Sequence, residues 1–152
     1  MTESEGKGYP ILSIYLPARW GKPGYICRMR PHKNLIVWQE SLHLVKNIYL
    51  LCASIPDSEK FGLISQLKRA SVSVPANISE GAARNSKKEF IQFLYISSGS
   101  LSEVETLTTI AVELNYINAK EFDKIEKQMN KISALLQGLI NKLKSDTSPK
   151  TT

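Results

Sequence analysis

The sequence predicts an all-α chain, an antiparallel up-and-down four-helix bundle preceded by a non-helical N-terminal extension. Three observations carry the prediction. Apolar residues recur at alternating three- and four-residue steps through four segments between Leu35 and Leu143, the period of a helix with one buried face. Short runs of turn-forming residues join the segments, and short connections force consecutive helices to run antiparallel. No segment shows the two-residue alternation of a strand.

The first helix is expected from about Leu35 to Ser54, with a stripe of Trp38, Leu42, Val45, Tyr49 and Cys52. Pro56 ends it, because a proline pushes the preceding residue out of the α region. Asp57 or Ser58 is the expected cap of the second helix, whose stripe is Phe61, Ile64, Leu67, Ser71, Val74 and Ile78. Pro75 lies inside that helix and removes one backbone donor, which predicts a kink near Ser71. Gly81 offers a place to leave the helix.

Asn85 or Ser86 caps the third helix, with Glu89 completing a capping-box pattern. Its expected stripe is Phe90, Phe93, Ser97, Ser100, Val104, Leu107, Ala111 and Leu114, a length of about 40 Å at the helical rise. Asn115–Asn118 is a turn. The fourth helix follows from about Ala119, with Phe122, Ile125, Met129, Ile132, Leu136, Leu139 and Leu143 on its stripe. Three regions result: an extension over 1–33, a bundle over 34–145 and a disordered tail over 146–152.

The extension differs in character from the bundle. It holds Gly6, Gly8, Gly21 and Gly24 with Pro10, Pro17, Pro23 and Pro31, a density that prevents a regular helix. Two readings stay open: a flexible basic arm, or a natural start at Met29 that leaves residues 1–28 outside the protein. The chain carries a net charge of +6 and a pI near 9.3. Residues 1–34 contribute six cations against Glu3 and Glu5, so the remainder holds only two more cations than carboxylates. Whole-chain charge therefore overstates the case for a nucleic-acid partner.

Most catalytic classes find no foothold. Cys27 and Cys52 have neither metal-ligand spacing nor the density of a disulfide scaffold; a reducing cytoplasm suits both. His32 and His43 read as ordinary surface positions. Glu103 and Glu105 diverge around a helix and lack a Glu-x-x-His companion. There is no phosphate-binding glycine loop and no zinc motif. No apolar run is long enough for a membrane span, and the sequence predicts neither an enzyme nor a cofactor.

Four groups of residues bear on interactions. Ser97-Ser98-Gly99-Ser100 places small side chains in mid-helix, for close approach of a neighbouring helix of the same chain or of another subunit. Ile91, Leu94, Tyr95 and Leu101 widen the apolar surface there, so the candidate oligomer interface is Ile91, Leu94, Tyr95, Ser98, Gly99 and Leu101. Pro75, Asn77, Glu80 and Gly81 read as structural: Glu80 pairs with Arg84, and Asn77 satisfies backbone freed by Pro75. Lys68, Arg69, Arg84, Lys87 and Lys88 are the candidate phosphate contacts. In a ring of subunits such a modest patch repeats and its field adds.

Taken together, Val37-Trp38-Gln39, Phe61-Gly62-Leu63, Gln66-Leu67-Lys68-Arg69-Ala70, Ser73-Val74-Pro75-Ala76-Asn77-Ile78, Glu80-Gly81, Arg84, Phe90, Gly99-Ser100 and Glu103 resemble a known family. It comprises the small four-helix-bundle proteins encoded in intervening sequences of bacterial 23S ribosomal RNA genes, and the resemblance spans about Leu35 to Leu143. That family is similar in fold to the accessory subunit of diversity-generating retroelements, which partners a reverse transcriptase and RNA. The resemblance implies a homopentameric ring with RNA or a reverse transcriptase as partner, and no catalytic residue. It leaves residues 1–33 outside. The expected role is a non-enzymatic RNA- or nucleoprotein-binding scaffold, the alternative a protein-interaction module without nucleic acid.

Overall fold

A computed structural model describes residues 31–146 of the chain. The readings for the extension up to Arg30, for the choice of Met1 or Met29 as start, and for the tail from residue 147 lie outside the described residues. Four α-helices make up most of what is described: α1 (Ile36–Leu51), α2 (Leu63–Ala82), α3 (Lys87–Glu113) and α4 (Ala119–Ser145). Among the described residues there is no strand.

Paired side chains fix the directions of the helices. Between α1 and α4, Lys131 Nζ reaches Glu40 Oε1 at 2.9 Å and Asn47 Nδ2 donates to Gln128 Oε1 at 2.8 Å. Between α2 and α3, Ser97 Oγ donates to the Val74 carbonyl at 3.0 Å, and Arg69 meets Glu103 at 3.4 Å. Between α3 and α4, Lys87 pairs with the Asp146 carbonyl and Lys144 with the Tyr95 hydroxyl. In each case numbers rise on one helix as they fall on its neighbour, the register of antiparallel packing. Each helix packs on the next and α1 closes against α4.

The core-facing rows differ from expectation in an instructive way. On α1 the buried row is Val37, Ser41, Leu44, Ile48 and Leu51, with Cys52 just beyond the helix. Leu42 and Tyr49, expected inside, are exposed. Ser41, second in the true row, disguises it as polar; its hydroxyl donates to the Trp38 carbonyl at 2.7 Å, so burial leaves nothing unsatisfied. On α3 the row is Leu94, Ser97, Leu101, Val104, Thr108 and Ala111, again a strict 3-4 alternation, while Leu114 is exposed. Thr108 donates to the Val104 and Glu105 carbonyls. The α4 row of Ile125, Met129, Ile132, Leu136, Ile140 and Leu143 matches expectation, except that Ile140 is buried in place of Leu139 and Phe122 is half-buried.

Boundaries are displaced as well. Asp57–Glu59 forms a separate 3-10 turn, and α2 begins at Leu63 behind Gly62. The Glu59 carboxylate accepts from the Leu63 N–H at 3.1 Å and caps the helix in place of Asp57 or Ser58. Phe61, expected in the core, precedes the helix and is 91% exposed. Pro31–Asn34 is a 3-10 turn that packs on α1 and α2. His32 stacks its ring 5.1 Å from Trp38 and is half-buried.

Gly81 does not end α2. It lies inside the helix and is buried, and a Cβ there would sit 2.5 Å from Phe93 Cβ and 2.9 Å from Phe90 Cδ2. The missing side chain is what lets α2 and α3 approach. Asn77 Nδ2 donates to the Ser73 carbonyl at 2.8 Å, not to the Ser71 carbonyl that Pro75 leaves without its helical donor. The turn before α4 includes Asn115 at φ 57°. Asn118 and Glu121 then form a complete capping box, whereas Ser86 caps α3 through the Glu89 N–H while its hydroxyl bonds the Glu89 carboxylate.

Candidate nucleic-acid interface

Helix direction sorts the charged residues by end. The start of α1, the end of α2, the start of α3 and the end of α4 share one end of the bundle. That end holds Lys33, Arg84, Lys87, Lys88, Lys142 and Lys144 against Glu40, Glu80, Glu89 and Asp146. The opposite end holds Asp57, Glu59, Glu113, Glu121 and Asp123 against Lys46, Lys60, Lys68, Lys120 and Lys124, an even balance. The described body carries a small net charge, and its surplus of cations falls at the first of these ends.

At the basic end the cations are anchored by their surroundings. Arg84 Nη2 donates to Glu80 Oε1 at 2.6 Å, one helical turn back, and its guanidinium lies 4.9 Å from the Phe93 ring centroid. Lys87 Nζ donates to the Asp146 carbonyl at 3.4 Å, which ties the start of α3 to the end of α4. Lys144 Nζ donates to the Tyr95 hydroxyl at 2.8 Å and lies 5.4 Å from that ring. Lys88 and Lys142 are exposed. These are surface pairs, each worth well under about 1 kcal/mol in high dielectric, so they orient cations without removing them from the field.

The five expected phosphate contacts do not form one patch. Arg84, Lys87 and Lys88 stand together at the basic end. Lys68 is sixteen residues back along α2 from Arg84, about 24 Å at the helical rise. Its ammonium lies 5.0 Å from the Tyr49 ring on the α1 side. Arg69 points to the α3 side and meets Glu103 at 3.4 Å. Conversely, Lys142 and Lys144 join the cluster although nothing in their local sequence sets them apart. Only the antiparallel register, which returns the end of α4 to the start of α3, could have found them.

The expected oligomer residues also separate. Leu94 and Leu101 are buried in the chain's own core, so neither offers surface to a partner. Ile91 is half-buried against that core. Ser98 donates to the Leu94 carbonyl within its own helix. Tyr95 is 47% exposed, and a Cβ on Gly99 would meet nothing within 4 Å. The close approach assigned to the Ser-Ser-Gly-Ser run is made by Ser97 against Val74, not by Gly99.

A shallow crevice between α1 and α2 is lined by Tyr49, Cys52, Ile64 and Lys68 among others. Burial pushes the Cys52 thiol above its ordinary value, against a smaller downward pull from Lys68. Among the described residues no group of three or more His, Cys, Asp or Glu is arranged to hold a metal, and no helix is long and apolar enough to cross a membrane.

Fold and surface together define a small four-helix bundle with a basic cluster at one end. The chain belongs to the 23S rRNA-intervening sequence protein family, whose model matches residues 33–138. Among solved structures it is similar to a protein of unknown function from the S23 ribosomal protein family of Bacteroides thetaiotaomicron VPI-5482. The two share 25% identity at a TM-score of 0.63, over 69% of this chain and 98% of that one. No protein of curated function matches the chain.

Proposed function

We propose that the protein is a non-enzymatic, homo-oligomeric scaffold that binds RNA or a ribonucleoprotein through the basic end of its bundle. The observation that carries this reading is the gathering of surplus cations at one end of the bundle. Arg84, Lys87 and Lys88 from the α2–α3 turn are joined there by Lys142 and Lys144 of α4, with Lys33 at the same end. Residues 1–30, with five cations against two carboxylates, precede Pro31 at that end. A single copy presents a modest field, and assembly with the basic ends aligned multiplies it. The family's printed name refers to ribosomal RNA and is compatible with an RNA partner. Under this reading Lys68 and Arg69 contribute to packing between helices rather than to phosphate contact, and the protein works in the cytoplasm. A pentamer, and a reverse transcriptase as the protein component of the partner, are the specific forms that the resemblance suggests.

The test is the salt dependence of RNA binding by the full chain. Removing one phosphate contact reduces the slope of log affinity against log salt by roughly 0.7–0.9. Replacing Lys88, Lys142 and Lys144 with alanine should flatten the slope by about two units on that scale, while Lys68→Ala and Arg69→Ala leave it within error. An unchanged slope in the triple variant would refute the basic-end assignment. A partner that survives nuclease treatment with no RNA bound would favour a protein-interaction module. The exposed Phe61 and Leu50 are the feature that speaks for that second reading.

A further inference from the structure

We propose that the basic end of the bundle holds single-stranded RNA, with Tyr95 as the ring on which an unpaired base stacks. The proposal rests on the RNA reading above and deepens it, naming the class of RNA and the side chain that selects it.

Tyr95 is 47% exposed, a large aromatic surface that the chain's own core does not use. Its hydroxyl is nevertheless held: Lys144 Nζ donates to it at 2.8 Å and lies 5.4 Å from the ring centroid. Those two distances put the ammonium beyond the hydroxyl, at the edge of the ring, so it covers neither face. One hydrogen bond thus orients the ring and sets a cation at its rim, within reach of the phosphate of a nucleotide stacked there. The same contact places Tyr95 on the α4 side of α3, whereas Glu103 leans the other way and meets Arg69 of α2.

The positions around the ring share one chemistry. On α3, Lys88, Gln92 and Tyr95 stand four and three residues apart and so share a face. On α4, Gln137, Asn141 and Lys144 repeat that spacing, and the Lys144 contact turns their face toward Tyr95. All six are exposed, and they comprise two ammonium groups, three amides and a phenol ring, with no carboxylate among them. Gln137 Nε2 donates to Asn141 Oδ1 at 2.9 Å, which leaves the Gln137 oxygen and the Asn141 amide hydrogens for a ligand. Of the carboxylates at this end, Glu40 and Glu80 pair with Lys131 and Arg84, and Glu89 accepts from the Ser86 hydroxyl.

A duplex cannot use this surface in the same way. Its bases are paired and stacked on one another, so it offers a side chain sugar hydroxyls and phosphates rather than base faces. Lysines alone would take either form of RNA. The ring is what distinguishes them, because stacking on an aromatic side chain needs a base whose face is free.

Binding of the full chain to a single-stranded oligouridylate and to an RNA duplex of the same length, each across a salt series, tests the assignment. Tyr95→Leu should weaken single-strand binding by about 5- to 150-fold, the range for one lost base–aromatic stack, and leave duplex binding unchanged. The salt slope should stay the same for both, because the ring neutralises no phosphate. Tyr95→Phe keeps the ring and should keep the single-strand preference, although it loses the bond to Lys144. Circular dichroism and light scattering should give both variants the wild-type fold and assembly. Equal losses on strand and duplex, a changed slope, a Tyr95→Phe defect as large as that of Tyr95→Leu, or assembly lost in Tyr95→Leu would each overturn the inference. Wild-type RNA binding that Tyr95→Leu leaves intact would overturn the stacking site alone, whereas a wild-type chain that binds neither RNA would refute the RNA reading and this inference with it.

Discussion

Gly81 and Gly99 sit on adjacent helices and both interrupt helix-forming sequence, yet they do opposite things. Gly81 is buried in the α2–α3 seam, where a single methyl group would collide with Phe93. Gly99 faces away from the bundle with nothing near it. Small groups stand where the two helices meet: Gly81 against Phe93, and Ser97, whose hydroxyl donates to the Val74 carbonyl. The outward face of α3 is equally regular in spacing but unpartnered within the described chain. Periodicity shows that a helix has a stripe, but neither spacing nor small size says which stripe meets the chain's own neighbours, since Gly99, the smallest residue of α3, faces outward.

The comparison can be broken most forcibly at the seam. Gly81→Ala should lower stability by about 1–3 kcal/mol, the cost of overpacking a site that cannot give, read from urea or heat unfolding. Ser97→Ala should cost about 1 kcal/mol by removing a buried hydrogen bond, with assembly unchanged. Gly99→Leu should leave the fold intact, and on an exposed helical site it should gain about 0.5–1 kcal/mol of helix propensity. It should nonetheless prevent assembly, because the new side chain fills the outward face. Retained assembly would show that Gly99 lies off the contact.

The smallest effect concerns Cys52. Its folded-state thiol is raised by burial, so the neutral form is favoured. The stability this contributes is complete below the ordinary thiol range and is lost as pH climbs through the raised value. In a Cys27→Ser chain, Cys52 should resist a thiol reagent at neutral pH until the protein is unfolded. Rapid labelling of the folded chain would contradict the assigned burial.

Much of the fold is legible from spacing. The four helices, the Ser86 cap, the turn at 115–118 and nearly the whole α4 row follow from periodicity and turn chemistry. The α1 row is harder to read, because Ser41 interrupts it while Leu42 and Tyr49 form a competing row beside it. Phe61 misleads for a similar reason, since a large aromatic at helical spacing from Ile64 reads as core until Gly62 and the Glu59 cap are seen to start the helix after it. Of the candidate site, the Arg84–Lys88 cluster is visible as a local run. Lys142 and Lys144 are not, because their relation to it exists only in the folded register. Leu94 and Leu101 look like surplus apolar surface because Phe90, Phe93 and Leu107 offer a competing row beside theirs, while Thr108 makes the true row look polar.

The central claim, an assembly that holds RNA, is tested most directly by light scattering on the purified full chain with absorbance at 260 nm recorded across the peak, before and after nuclease. The account predicts a particle several times the 17.0 kDa chain mass whose 260 nm excess disappears on digestion while the protein assembly persists. A 17.0 kDa species free of nucleic acid from the outset would contradict it.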